Sequence, residues 1–125
     1  MTRRILVIED QPDNRRIVRD LLASVGYGMI EATDGETGVR LASEQQPDLI
    51  LMDIQLPGLD GYEATRRIKA DPDLRQIPII VVTSYALSGD DAKARAAGAD
   101  GYVAKPFSPR QLLATIRKFL GDAGG

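Results

Sequence analysis

Four places in this sequence set polar side chains at the end of an apolar run. Glu9 and Asp10 follow Ile5, Leu6, Val7 and Ile8. Asp53 follows Leu49, Ile50, Leu51 and Met52. Thr83 and Ser84 close "IPIIVVTS", and Lys105 closes "GYVAK". Carboxylates, hydroxyls and an ammonium are suited to phosphoryl chemistry on a hard cation. If the three acids meet, each pair at ~4 Å repels by roughly 4 kcal/mol at an effective dielectric of about 20. Such a cluster asks for a cation. Oxygen donors without His or Cys favour Mg²⁺, with Mn²⁺ or Ca²⁺ as alternatives. Lys105 and Thr83 then suit phosphoryl oxygens, one as a point charge and one as a hydroxyl donor. Asp53 becomes the natural acceptor, because a carboxylate can form an acyl phosphate.

Composition removes other chemistries. The chain has 125 residues, no Cys and no His, and a formal net charge of −2. It therefore has no disulfide framework, thiolate, imidazole ligand or Ser-His triad. Nothing in the charge suggests attraction to nucleic acid or to an anionic membrane. The run Ile5–Ile8 is too short for a signal-peptide core or a membrane span. A cytoplasmic location is the default expectation.

The elements that must position these residues follow from two alternating periods. Ile5–Ile8, "MIEAT", Leu49–Asp53, "IPIIVVTS" and "GYVAK" read as strands. Ile17, Val18, Leu21, Leu22 and Val25 recur at helical spacing, and Gly26 is placed to end that helix. Glu36 to Gln46 is a second helix, weakened by Gly38. A third begins at Asp60 with Glu63 as its capping-box partner, and turns Ala64 and Ile68 inward. Ser88 to Ala97 forms a fourth, closed by Gly98. The last helix starts at Ser108, Pro109 and Gln111, with Leu112, Leu113, Ile116, Phe119 and Leu120 inward. Strand and helix alternate five times, which means a parallel sheet with helices on both faces. A flavodoxin-like, doubly wound (βα)5 fold of strand order 2-1-3-4-5 is expected, with its ligand edge at the strand C-termini between strands one and three. Residues 1–121 form the domain, and 122–125 a tail.

These segments resemble the receiver domain of response regulators in two-component signalling. The likeness rests on "VIED", "LILMDIQLPGLDG", "VVTSYA" and "GYVAKPF", in that order and over essentially the whole chain. It is closest in kind to receivers that stand alone. The resemblance implies that Asp53 accepts a phosphoryl group from a phosphohistidine on a sensor histidine kinase or a histidine phosphotransfer protein. It implies Asp10, Asp53 and the backbone carbonyl of Gln55 as Mg²⁺ ligands, with Glu9 acting through metal-bound water. Lys105, Thr83 and Ser84 would serve the phosphoryl group, Tyr102 would turn inward behind Thr83, and Lys105–Pro106 would be a cis peptide. Gln55 and Tyr85 occupy positions that tune acyl-phosphate lifetime in the family.

Output is expected to be a protein–protein switch rather than an enzyme activity. The alanine-rich fourth helix buries little area per residue and is the element a small energy can move. Helix four, strand five and helix five are the expected output surface toward a downstream protein effector, in a monomer or weak dimer. No recognition module for DNA is evident. Three rivals are weaker. An aspartyl phosphatase usually carries a second Asp where this chain has Gln55. A binding-only receiver would not need the full set of acids, hydroxyl and ammonium. An FMN module would not follow its first strand with "EDQPDN".

Each residue also has a plainer use. Glu9 and Asp10 could help start a helix, Asp53 could cap a loop, and Lys105 could be an ordinary surface lysine.

Overall fold

The computed structural model describes residues 2–83 and 90–121. The order is β1 (Arg4–Ile8), α1 (Pro12–Ser24), β2 (Gly28–Ala32), α2 (Gly35–Gln45), β3 (Leu49–Asp53), α3 (Gly61–Ala70), β4 (Ile79–Thr83), α4 (Asp90–Ala96), β5 (Gly101–Ala104) and α5 (Pro109–Leu120). All neighbouring strands pair in parallel, in the order β2-β1-β3-β4-β5. This is the flavodoxin-like arrangement expected from the alternation. Ser84, Tyr85, Ser88 and the expected tail 122–125 lie outside the described residues.

Burial explains the strand sequences. β3 and β4 are buried at every position, so each reads as an unbroken apolar run covered on both faces. Side chains alternate between two cores. Ile5, Val7, Leu49, Leu51, Ile80, Val82 and Val103 face α1 and α5, where they meet Val18, Leu22, Leu112 and Ile116. Leu6, Ile8, Ile50, Met52 and Ile79 face α2 and α3, against Ala42, Ala64 and Ile68. A smaller group, Ile54, Val81 and Ala94, seats α4, with Tyr102 packed beside it.

Helix starts follow local chemistry. Asp34, Asp60 and Ser108 each accept a hydrogen bond from the backbone N–H three residues on, at Thr37, Glu63 and Gln111. Such a cap is worth about 1 kcal/mol. α1 differs: its N-cap is Gln11 without a side-chain cap bond, and Pro12 opens the first turn. Neither Glu9 nor Asp10 is therefore the cap of this helix.

Packing refines two of the sequence readings. Of the apolar residues at helical spacing in α1, Ile17 is 54% exposed. Val18 and Leu22, one turn apart, take the inward face, and Ile17 lies beside it. Gly38 is not merely a weak point in α2. A Cβ there would lie 2.4 Å from Cδ1 of Ile8, so glycine lets the helix approach β1. Similar close approaches occur at Gly61, where a Cβ would meet the Asp53 carbonyl oxygen at 2.1 Å, and at Gly35, where it would meet the Leu59 carbonyl oxygen at 2.4 Å.

Candidate functional site

The parallel register carries the strand-end residues to one edge. Ile8 pairs with Met52, so Glu9 and Asp53 emerge side by side from the two central strands. Asp53 pairs with Val82, which brings Thr83 to the same edge, and Thr83 pairs with Ala104, one residue before Lys105. The backbone N–H of Lys105 donates to the Thr83 carbonyl at 2.7 Å. That of Glu9 donates to the Ala32 carbonyl at 3.0 Å. Both ladders thus extend one step beyond the strands and hold the two charged residues firmly.

Alternation then sorts the side chains. Glu9, Asp53 and Lys105 continue the face of Val7, Leu51 and Val103, toward α1 and α5. The Lys105 ammonium donates to Glu9 Oε1 at 2.7 Å and to Asp53 Oδ2 at 3.4 Å. Glu9 and Asp53 are 5% and 8% exposed, so this ion pairing takes place in a largely dehydrated setting. Asp10 is half-buried, and one oxygen from each of Glu9, Asp10 and Asp53 lies within 4.8 Å of the others. Thr83 is 1% exposed. It shares the α4-side face with Val81, whose pair partner is Tyr102, half-buried against the α4 seat. The Gln55 backbone N–H donates to Asp53 Oδ1 at 3.4 Å. The Lys105–Pro106 peptide is cis.

The electrostatics of the cluster are lopsided. Burial pushes the Asp53 carboxyl up to about 7, and the hydrogen bond and like charge of Glu9 push the same way against Lys105. Burial would raise Glu9 as well. Hydrogen bonds with Asp53, Lys105 and the Gln11 N–H outweigh it and hold Glu9 below its ordinary value. For Lys105 burial would lower the pKa, but the Glu9 hydrogen bond and the charges of Asp53 and Glu9 hold it above the ordinary lysine range. Two buried carboxyls thus compete for one ammonium, Glu9 takes the shorter bond, and the Asp53 carboxyl is held above its ordinary value. A small hard cation at this edge would relieve the same conflict. The donor set, three carboxylates with no nitrogen or sulfur ligand, fits one.

Other residues at the edge were not evident from sequence. The Arg15 guanidinium donates to the Glu9 carbonyl at 3.0 Å and pairs with Glu31 at 3.3 Å, tying α1 to the end of β1. A cavity of about 540 Å³ opens beside Asp53 and Lys105. Ile17, Val18, Phe107 and Leu112 are among the residues that wall it. An isoleucine flanked by arginines at positions 15, 16 and 19 was the available signal for an apolar residue at a rim.

Comparison with known proteins agrees with this geometry. The model of the response regulator receiver domain matches residues 5–117. The polar-differentiation response regulator DivK of Brucella ovis is 43% identical over 123 residues, spanning 98% of this chain and 100% of DivK. The receiver domain of the sensor histidine kinase PA1611 from Pseudomonas aeruginosa PAO1 superimposes with a TM-score of 0.90 at 41% identity, covering 98% of this chain and all of that one. It has a magnesium ion coordinated in its active site cleft. The chemotaxis response regulator CheY4 of Vibrio cholerae superimposes with a TM-score of 0.89 at 26% identity, over 95% of this chain and 99% of that one. The match to the family model over most of the sequence, with its acids gathered at one sheet edge, makes this chain a member of the response regulator receiver domain family.

Proposed function

We propose that this receiver accepts a phosphoryl group on Asp53 from a phosphohistidine, supplied by a sensor histidine kinase or a histidine phosphotransfer protein. One observation carries the proposal: three carboxylates lie within 4.8 Å of one another, and the Lys105 ammonium is 3.4 Å from the buried Asp53. An Asp53 carboxylate oxygen attacks phosphorus, one O–P bond forms, and the N–P bond of the donor breaks with its electron pair returning to imidazole. Lys105 favours the ionised nucleophile and then compensates the added charge. Phosphorylation takes the residue from about −1 to roughly −2 and adds acceptor oxygens.

Asp10, Asp53 and the Gln55 carbonyl would hold Mg²⁺, with Glu9 reaching it through water. When bound, the ion supplies charge stabilisation to the phosphoryl oxygens. Thr83 would turn its hydroxyl toward the new acceptors, and Ser84 would assist. Tyr102, on the face Thr83 occupies, would then move inward. The domain spans 1–121 and works as a phosphoacceptor switch rather than as an enzyme on outside substrates. No described helix is long and apolar enough to cross a membrane. The receiver would be cytoplasmic, would engage neither membrane nor nucleic acid directly, and would be a monomer or weak dimer. Its output face, formed by α4, β5 and α5, would address a protein effector.

The test is intact mass after incubation with Mg²⁺ and acetyl phosphate. A single base-labile phosphoryl adduct is expected, absent in Asp53→Asn and without added metal. If neither acetyl phosphate nor a phosphorylated histidine kinase yields an adduct, the proposal fails. An adduct that persists in Asp53→Asn would place the acceptor elsewhere.

A further inference from the structure

The cations of α1, α2, α3 and α5 fall into two classes. On α1, α2 and α3 every arginine and lysine has a carboxylate partner. Arg15 and Arg19 pair with Glu31, Arg16 with Asp13, and Arg40 with Glu44. Arg66 and Arg67 pair with Glu63, and Lys69 pairs with Asp100. The cations of α5 are the other class. Arg110, Arg117 and Lys118 are all exposed, the helix contains no acidic residue, and among the described residues none of the three is in an ion pair.

Their spacing makes one surface. Residues 110, 114, 117 and 118 stand at i, i+4, i+7 and i+8, which is a single helix face. Ala114 leaves its middle low. The opposite face, Leu112, Ile116 and Leu120, is fully engaged in the core.

Helix stability does not account for this pattern. Arg117 and Lys118 lie in the last turn, where cations complement the helix dipole. Arg110 lies in the first turn, where the dipole disfavours a cation, and no first-turn acid offsets it. A cation kept against the local field, in line with two others that lack internal partners, suits an external anion. The chain as a whole is acidic, with a formal net charge of −2. Long polyanions such as duplex DNA or an anionic bilayer would therefore meet repulsion outside this narrow stripe. A short acidic segment would not.

We propose that the effector docks on α5 through an acidic, helix-sized protein segment whose carboxylates pair with Arg110, Arg117 and Lys118. This inference rests on the proposed output surface only for which face carries the signal. The charge pattern stands apart from phosphorylation.

The test uses labelled helical peptides of equal length whose polar positions carry glutamate, glutamine or lysine, with anisotropy as the readout. The glutamate peptide should bind about tenfold more tightly than the glutamine peptide at low salt, and less so as salt rises. Arg117→Glu and Lys118→Glu should each weaken it by about threefold, whereas Arg16→Glu on α1 should not. Neutral Arg110→Gln and Arg117→Gln give the same direction with less perturbation. Equal binding of the glutamate and glutamine peptides would overturn the proposal. So would tighter binding of duplex DNA or of phosphatidylserine vesicles, or sedimentation showing a dimer that the charge reversals dissolve. Equal affinity for the glutamate peptide before and after acetyl phosphate treatment would support the acidic partner and remove only the phosphorylation switch.

Discussion

α4 and α5 both pack against β5, yet they are anchored very differently. α5 buries Leu112, Ile116 and Leu120 in the large core under the sheet. The described side chains that α4 and its C-terminal end bury are Ala94 and Ala97, at 1% and 4% exposure. A leucine or isoleucine so buried contributes about 2 kcal/mol at ~25 cal/mol per Å², and an alanine methyl well under half of that. One helix is therefore part of the frame and the other rests on it. Any local event at the sheet edge should find its outlet on the α4 side, where Thr83, Tyr102 and Ala94 share a face.

The contrast can be broken by mutation. The largest effect is expected from Leu112→Ala, which should lower unfolding free energy in urea by about 3 kcal/mol through the cavity left behind. A loss under about 1 kcal/mol would mean that α5 is no better anchored than α4. On phosphorylation, amide resonances of residues 90–104 should shift while those of Ile116 to Leu120 hold their positions. Uniform shifts in both helices would erase the distinction. Hydrogen exchange should be faster in α4 than in α5 before any phosphorylation, because less burial opposes local opening.

The pH dependence sharpens the same comparison, since Glu9, Asp53 and Lys105 lie on the α5 side. Asp53 has a folded-state pKa raised from 3.8 to about 7. The native state then binds the proton more tightly than the unfolded one, and stability is lost as pH rises through this window. Glu9 is shifted down, so its contribution is lost only as pH falls below its ordinary 4.5. In metal-free buffer, denaturation midpoints should therefore fall as pH rises from about 5 to 7, and Mg²⁺ should flatten that slope. The smallest effect is expected from Ala94→Gly, about 1 kcal/mol from helix propensity, with the pH slope unchanged.

Much of this architecture was legible in the residues. Strands buried on both faces must be continuous apolar runs, so β3 and β4 announce themselves, and a polar residue ending such a run can only emerge at the sheet edge. The convergence of Glu9, Asp10 and Asp53 follows once the strand order is known. Side-chain pairing inside the cluster was not legible. Lys105 makes its shorter bond to Glu9, at 2.7 Å, rather than to Asp53, a matter of tenths of an ångström that periodicity does not encode. Helical spacing also groups Ile17 with Val18 and Leu22, yet only the latter two are buried, because an apolar stripe can be drawn wider than the face that packing uses. Gly38 looked like a defect for a related reason: propensity concerns a helix alone, whereas here the glycine serves a contact with Ile8 on another element.

The two close approaches at Gly35 and Gly61 bear on how the molecule can yield. The main chain from Asp53 to Leu59 is gripped at both ends, by the first residue of α3 and the first residue of α2, at distances that admit no methyl group. At those two points the main chain is closely fitted. A bulkier residue at 61 could be accommodated only by prising α3 off the sheet or tilting the last peptide of β3, and the latter would misaim the acid itself. Motion provoked beside Asp53 would therefore be expected to avoid these two pinned peptides and to spread through the less tightly fitted segments around them.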